Sequence, residues 1–255
     1  MFFFGAFHKG IRMIFDLQKA SLLKRFSAYL LDFILLCVLA VGFALAVSAI
    51  TGYEGYLAKY SEQIAVYEKN YGKISEVTEE VYNGLSAEAK ACYDEVARLF
   101  ATIQNLILLM TSSGIFLAYF ILEFLLPLKF RNGQTVGKKV FGLAVMHLNF
   151  VRVSAISMFI RTLLGKYTIE TMFPILIIIL IFFGGIGFIG TLILLALLIL
   201  QIVMFFTSGT YSPIHDLLAK TVVVDLSSQM IFDSEEKMIE AKKSVSAEQA
   251  ERQQY

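Results

Sequence analysis

"KRFSAYLLDFILLCVLAVGFALAVSAI", Lys24–Ile50, decides the fold. From Phe26 onward it is apolar for long enough to cross a bilayer, which takes about 20 residues of helix. Asp32 lies inside it and Arg25 stands at its mouth, seven residues earlier. A carboxylate in hydrocarbon costs on the order of 2.5–3.5 kcal/mol on insertion scales, so Asp32 requires either a partner or a task.

The rest of the chain has the same character. It has 255 residues, 57% hydrophobic and 17% charged, whereas a soluble domain carries about 25% charged residues. The apolar residues are clustered into long runs. A second span covers about 103–127. After Glu170 no Asp, Glu, Lys or Arg appears until Asp216, a run suited to two helices of about 20 residues each. "FFGGIGFIG" supplies a glycine break, giving spans near 168–186 and 188–208. A re-entrant pair is the alternative for these last two.

Lys/Arg asymmetry sets the orientation. Lys9, Arg12, Lys19, Lys24 and Arg25 precede the first span, and Lys129, Arg131, Lys138, Lys139 and Arg152 follow the second. The segment between those spans has five basic residues against nine acids. The expected topology therefore has four spans, cytoplasmic N- and C-termini and an outward segment over residues 51–102.

That outward segment carries two heptad stripes. Leu85, Ala89, Cys92, Val96, Leu99, Ile103, Leu106 and Met110 form one, and Ile50, Tyr53, Leu57, Tyr60, Ile64, Tyr67 and Tyr71 the other. They predict an antiparallel helical hairpin, with Ser86 as a helix cap and a kink at Gly52 or Gly55. Such a hairpin either packs only on itself or docks a partner through Tyr56, Tyr60, Tyr67 and Tyr71, since tyrosines are amphipathic contact residues. Cys92 falls on the seam as a free thiol and Cys37 lies within the first span, so neither disulfide nor metal spacing is present.

Elsewhere, Phe4, Phe7, Ile11 and Ile14 suggest an amphipathic N-terminal segment over residues 1–20, a poorly ordered start being the alternative. "SAISMFIRTLLGKY" reads as an interfacial amphipathic helix with Arg161 on its polar face. Val140–His147, Phe150–Val153 and Lys220–Asp225 read as short strands on the cytoplasmic side. Residues 227–255 form a charged tail. The fold class is thus an all-α membrane protein: a four-span bundle over 21–226, with the hairpin inserted and a few short strands added.

"GQTVGKK", Gly133–Lys139, lacks the spacing of a phosphate-binding loop and reads as a glycine turn with basic residues near headgroups. No nucleophile–base, zinc or cofactor constellation is present, so no catalytic, metal or cofactor residues are assigned and no enzymatic activity is expected. A net charge of +1 gives no basic field for nucleic acid.

The charges that remain converge. Asp32 and Glu123 each sit on the cytoplasmic side of their span's midpoint, roughly 9–12 Å from the midplane. Arg25 shares a helix face with Asp32 but lies about 10 Å along the axis, so each is expected to find a partner elsewhere. Arg161, His215 and Asp216 fall near the same boundary. The cluster Arg25, Asp32, Glu123, Arg161 and Asp216 reads as an ion-pair lock, as an ion or proton pathway, or as a partner site.

"KRFSAYLLDFILL", "GQTVGKKVFGLAV" and "SPIHDLLAKTVVVD", in that order, resemble the RDD family of prokaryotic membrane proteins. The family is named for an arginine, an aspartate in the first helix and a second aspartate; the matching positions are Arg25, Asp32 and Asp216. The chain departs where the family commonly has a glycine before the Thr-Val-Val strand: Lys220 stands there. The outer hairpin is also longer than the family's usual loop. The resemblance implies a bacterial inner-membrane location and a role in transport. Together with the charged cluster it suggests a small transporter exchanging cations and protons, and four helices would require a homo-oligomer. The alternative is a non-catalytic membrane subunit that docks another membrane protein through the hairpin.

Overall fold

The computed structural model describes residues 17–130, 132–182, 184, 186–207 and 213–253. The amphipathic segment expected around Phe4–Ile14 lies outside them. Four helices are long and apolar enough to cross a membrane: α1, Leu22–Thr51; α4, Ala87–Lys129; α6, Ala155–Phe182; and α7, Gly187–Thr207, of which Gly187–Met204 forms the span. Between them come α2, Tyr53–Tyr71, and the short α3, Glu79–Gly84, then α5, Val136–Val140, and β1, Leu143–His147. The chain continues through α8, Ile214–Leu218, β2, Thr221–Asp225, and α9, Glu235–Gln253. The fold is an all-α membrane protein carrying a small two-stranded sheet.

Two compact units result, one from Met1–Leu36 with Ala118–Tyr255 and one from Cys37–Leu117. In the second, the expected seam forms: Ala89, Val96, Leu99 and Ile103 are buried. The Ser86 hydroxyl caps α4 by accepting the Ala89 N–H at 3.2 Å. Gly52, at φ +69°, separates α1 from α2 in the left-handed region that glycine adopts without strain. Gly114 admits a close approach of α1, since a Cβ there would lie 2.6 Å from the Ala40 carbonyl oxygen. Of the four hairpin tyrosines, Tyr56 and Tyr71 are exposed, Tyr60 stacks on Phe100, and Tyr67 is buried between Tyr71 and Tyr93. Burial removes Tyr67 from any docking surface. Cys37 is exposed and Cys92 is half-buried; both are free thiols.

In the first unit, β1 pairs antiparallel with β2 from Leu143 opposite Asp225 to His147 opposite Thr221. Both faces are covered. Leu143, Val145 and Val223 pack with Ala20 and Ala28, while Ala144, Met146, Val222 and Val224 pack against Leu17, Phe150 and Ile231. This two-sided burial explains why both strands read as continuous apolar runs. The sequence expectations need two corrections here. Val140 ends a helix rather than starting a strand, because Thr135 caps the turn that follows it. The segment 150–153 makes only isolated bridges, Arg152 to Met146 and Val151 to Phe232.

A third correction concerns α6. The interfacial helix and the third span are one continuous element, Ala155–Phe182, wound as a π-helix over Ile160–Met172.

Candidate functional site

Asp32 is held by the segment that follows α4. Its carboxylate accepts the Gly137 N–H at 2.7 Å and the Thr135 hydroxyl, and Thr135 in turn caps α5. The approach depends on Gly137, where a Cβ would lie 2.2 Å from the Ala28 carbonyl oxygen. "GQTVGKK" therefore builds a helix start whose Gly137 N–H is taken by a carboxylate of the same chain and whose Lys138 N–H is taken by Thr135. Lys138 is buried rather than turned to headgroups: its Nζ donates to the Thr135 hydroxyl at 3.1 Å and lies 3.9 Å from Asp32 Oδ2. Burial pushes this ammonium down to about 8, against the attraction of Glu123.

Glu123 lies in a π-helical turn of α4, Phe120–Leu125. The cause is Pro127, four residues on, which has no N–H to give the Glu123 carbonyl. The Thr162 hydroxyl donates to that carbonyl instead, at 2.9 Å. The Glu123 side chain accepts from Lys166 at 2.5 Å, and both residues are buried.

Arg161 and Asp216 form the deepest pair, each 1% exposed. Arg161 Nε donates to Asp216 Oδ1 at 2.7 Å, and the Thr221 hydroxyl donates to the same oxygen at 2.7 Å. Burial would raise the Asp216 carboxyl, but the Arg161 guanidinium overrides this and holds it below the usual carboxylate range. His215 Nε2 lies 3.3 Å from Arg161 Nη2, and its Nδ1 lies 2.8 Å from Glu170 Oε2. Burial pushes His215 down, against the pull of Asp216 and Glu170. A neutral ring protonated on Nδ1 serves both contacts, donating to Glu170 and accepting from Arg161. Gly165 makes room for this, since a Cβ there would lie 2.5 Å from His215 Cβ.

The π-winding of α6 aligns these groups. Arg161 and Glu170 are nine residues apart, half a turn out of phase at 3.6 residues per turn. With i→i+5 hydrogen bonds and roughly 4.4 residues per turn they return to one face, and both reach His215.

A cavity of about 410 Å³ adjoins these groups, and Arg25, Asp32, Lys138, Arg161, Lys166 and Asp216 contribute to its lining. Arg25 reaches β2, donating to the Val223 carbonyl rather than to Asp32. The structure thus gathers Arg25, Asp32, Arg161 and Asp216 around one space, with Glu123 attached through Lys166. Lys138, Lys166, Glu170 and Thr135 were not among the site residues expected from the sequence. Lys166 and Glu170 carried a signal as ionisable residues flanking an apolar run. Thr135 and Lys138 carried none beyond their motif. Among the described residues no group of three or more His, Cys, Asp or Glu is placed to hold a metal ion.

Lys220, standing where a glycine was expected, has φ +52° and so takes the left-handed conformation without glycine's freedom. No curated protein and no solved structure matches the chain. The sequence profile of the RDD family matches it over residues 19–220, the stretch that holds all the paired charges just described. This multi-pass membrane protein belongs to the RDD family.

Proposed function

We propose that this chain is a small proton-coupled transporter of a bacterial inner membrane, working as a homo-oligomer with both termini cytoplasmic. The observation that carries the reading is the Asp32–Lys138 pair: a buried ammonium 3.9 Å from a buried carboxylate at the edge of a cavity. Lys138 titrates at about 8, within reach of cellular pH. While protonated, Lys138 neutralises Asp32. Loss of that proton leaves the carboxylate free to take a monovalent cation, so one proton exchanges for one cation.

Proteoliposomes holding the purified protein test this. A pH gradient should drive cation-dependent proton flux that disappears in Asp32→Asn and Lys138→Met while both variants stay folded. No flux above empty vesicles with any monovalent cation would overturn it.

A second reading is a non-catalytic subunit that docks another membrane protein through the hairpin, with the charge pairs serving only to lock the bundle. Exposure of Tyr56, Leu57 and Tyr71 favours it. Deleting residues 56–98 should then release a co-purifying protein; retention of every partner would end that reading.

A further inference from the structure

The cavity has an excess of positive charge at its walls. Arg25, Lys138, Arg161 and Lys166 contribute to its lining, against the carboxylates Asp32 and Asp216. Glu123 and Glu170, which complete the cluster, are not among its lining residues; each is engaged behind, by Lys166 and by His215. Arg161 adds a second, independent observation. It is 1% exposed, Nε and Nη2 have partners, and Nη1 has no hydrogen-bond partner among the described residues. A buried guanidinium N–H without an acceptor forfeits a hydrogen bond, which an incoming anion would restore.

The remaining wall is apolar. Leu22 and Phe26 of α1 and Phe206 of α7 line it, and all three are largely exposed on helices that span the membrane. A cavity lined both by cations and by exposed apolar side chains of membrane-spanning helices matches an amphipathic anion better than a small hydrophilic one.

The geometry points to a binding site for a phosphate group, presented by a lipid headgroup or free in solution, anchored on Arg161 with Lys138 and Lys166 beside it. Arg161 Nη1 is itself buried, so a phosphate oxygen reaches it only as the side chains over it give way, and any acyl chain leaves past Phe26 and Phe206 into the bilayer. The site shares the cavity and Lys138 with the transport reading but does not rest on it, because its test reads binding and not flux.

The chain contains no Trp, so Phe206→Trp gives a sole fluorescent reporter at the rim. The protein carrying it is placed in neutral phosphatidylcholine nanodiscs and titrated with brominated phosphatidic acid, with brominated phosphatidylcholine as the comparison. Phosphatidic acid should quench at about tenfold lower mole fraction. That preference should vanish in Arg161→Gln. Where Arg161→Gln does not fold, the double variant Lys166→Met with Glu123→Met removes one lining cation together with its partner and should weaken the preference.

Inorganic phosphate separates the sources. Reversal of quenching at millimolar phosphate assigns recognition to the phosphate alone, and no reversal assigns it to the lipid. A phosphate-induced change in emission without lipid preference assigns free phosphate as the ligand. Equal quenching by both lipids with no response to phosphate would overturn the site, as would a preference unchanged in the folded variants.

Discussion

Asp32 accepts the backbone N–H of Gly137 at 2.7 Å, across 105 residues of chain. A carboxylate of the first span thereby caps the helix after the second, and it can do so only because residue 137 lacks a side chain.

Gly137→Ala should therefore be among the most damaging single substitutions. Its Cβ would fall 2.2 Å from the Ala28 carbonyl oxygen and 2.9 Å from Asp32 Cγ, so backbone must move. A cost of about 3 kcal/mol is expected. Thermal unfolding in detergent reads it, with Gly55→Ala, which meets nothing within 4 Å, as the neutral or mildly stabilising control.

The Arg161–Asp216 pair makes a prediction of non-additivity. Asp216→Asn and Arg161→Met each leave a buried charge unpaired and should cost about 3–5 kcal/mol. The double variant should lose much less than the two costs added together. Strict additivity of the unfolding midpoints would mean that the two side chains do not interact as described.

Lys138 sets a pH dependence. Its folded value, about 8, lies below the free value of 10.5, so between these the unfolded chain holds more protons. Stability should therefore rise as pH goes from about 8 to 10.5, by roughly 3 kcal/mol at most, and show no Lys138 slope below that window. Lys138→Met should flatten this slope. An unaltered pH profile in that variant would remove Lys138 as its source.

Lys220→Gly should stabilise the protein. The left-handed backbone costs a lysine about 1–2 kcal/mol, and glycine's added freedom in the unfolded chain returns about half of that. A midpoint raised by a few degrees is expected; a lowered one would mean that the lysine side chain contributes something the backbone argument omits.

Tyr67→Phe offers a quiet test in the hairpin. The Tyr67 hydroxyl is buried with no hydrogen-bond partner among the described residues, so removing it should be neutral or stabilising by up to about 1 kcal/mol. A loss of more than that would reveal a partner for the hydroxyl.

The residues that were legible in the sequence share one property: their environment follows from local spacing. Ala89, Val96, Leu99 and Ile103 were placed on a seam by a 3–4 repeat, and they are buried. Ser86 was placed as the cap of the hairpin's second arm, and it caps α4. Lys166 and Glu170 failed that test for a definite reason. Periodicity was read at 3.6 residues per turn, and the segment that holds them is wound more loosely, with Gly165 and Pro174 within or just beyond it. Arg25 and Asp32 were correctly put on one helix face, yet their partners, the Val223 carbonyl and the Thr135–Lys138 turn, come from other elements.

The sequence by itself determined where the long apolar stretches lie and which ionisable residues must find partners, because these depend on hydropathy and the cost of burying charge, whereas the start of α6 at Ala155 rather than near 168 came only from the structure. The tertiary structure alone decided the pairing: Arg161 with Asp216, Glu123 with Lys166, and Asp32 with the start of α5. Pairing requires side chains from distant segments to meet within about 3 Å, and that depends on helix winding, glycine contacts and a proline-freed carbonyl, none of which leaves a periodic trace in the sequence.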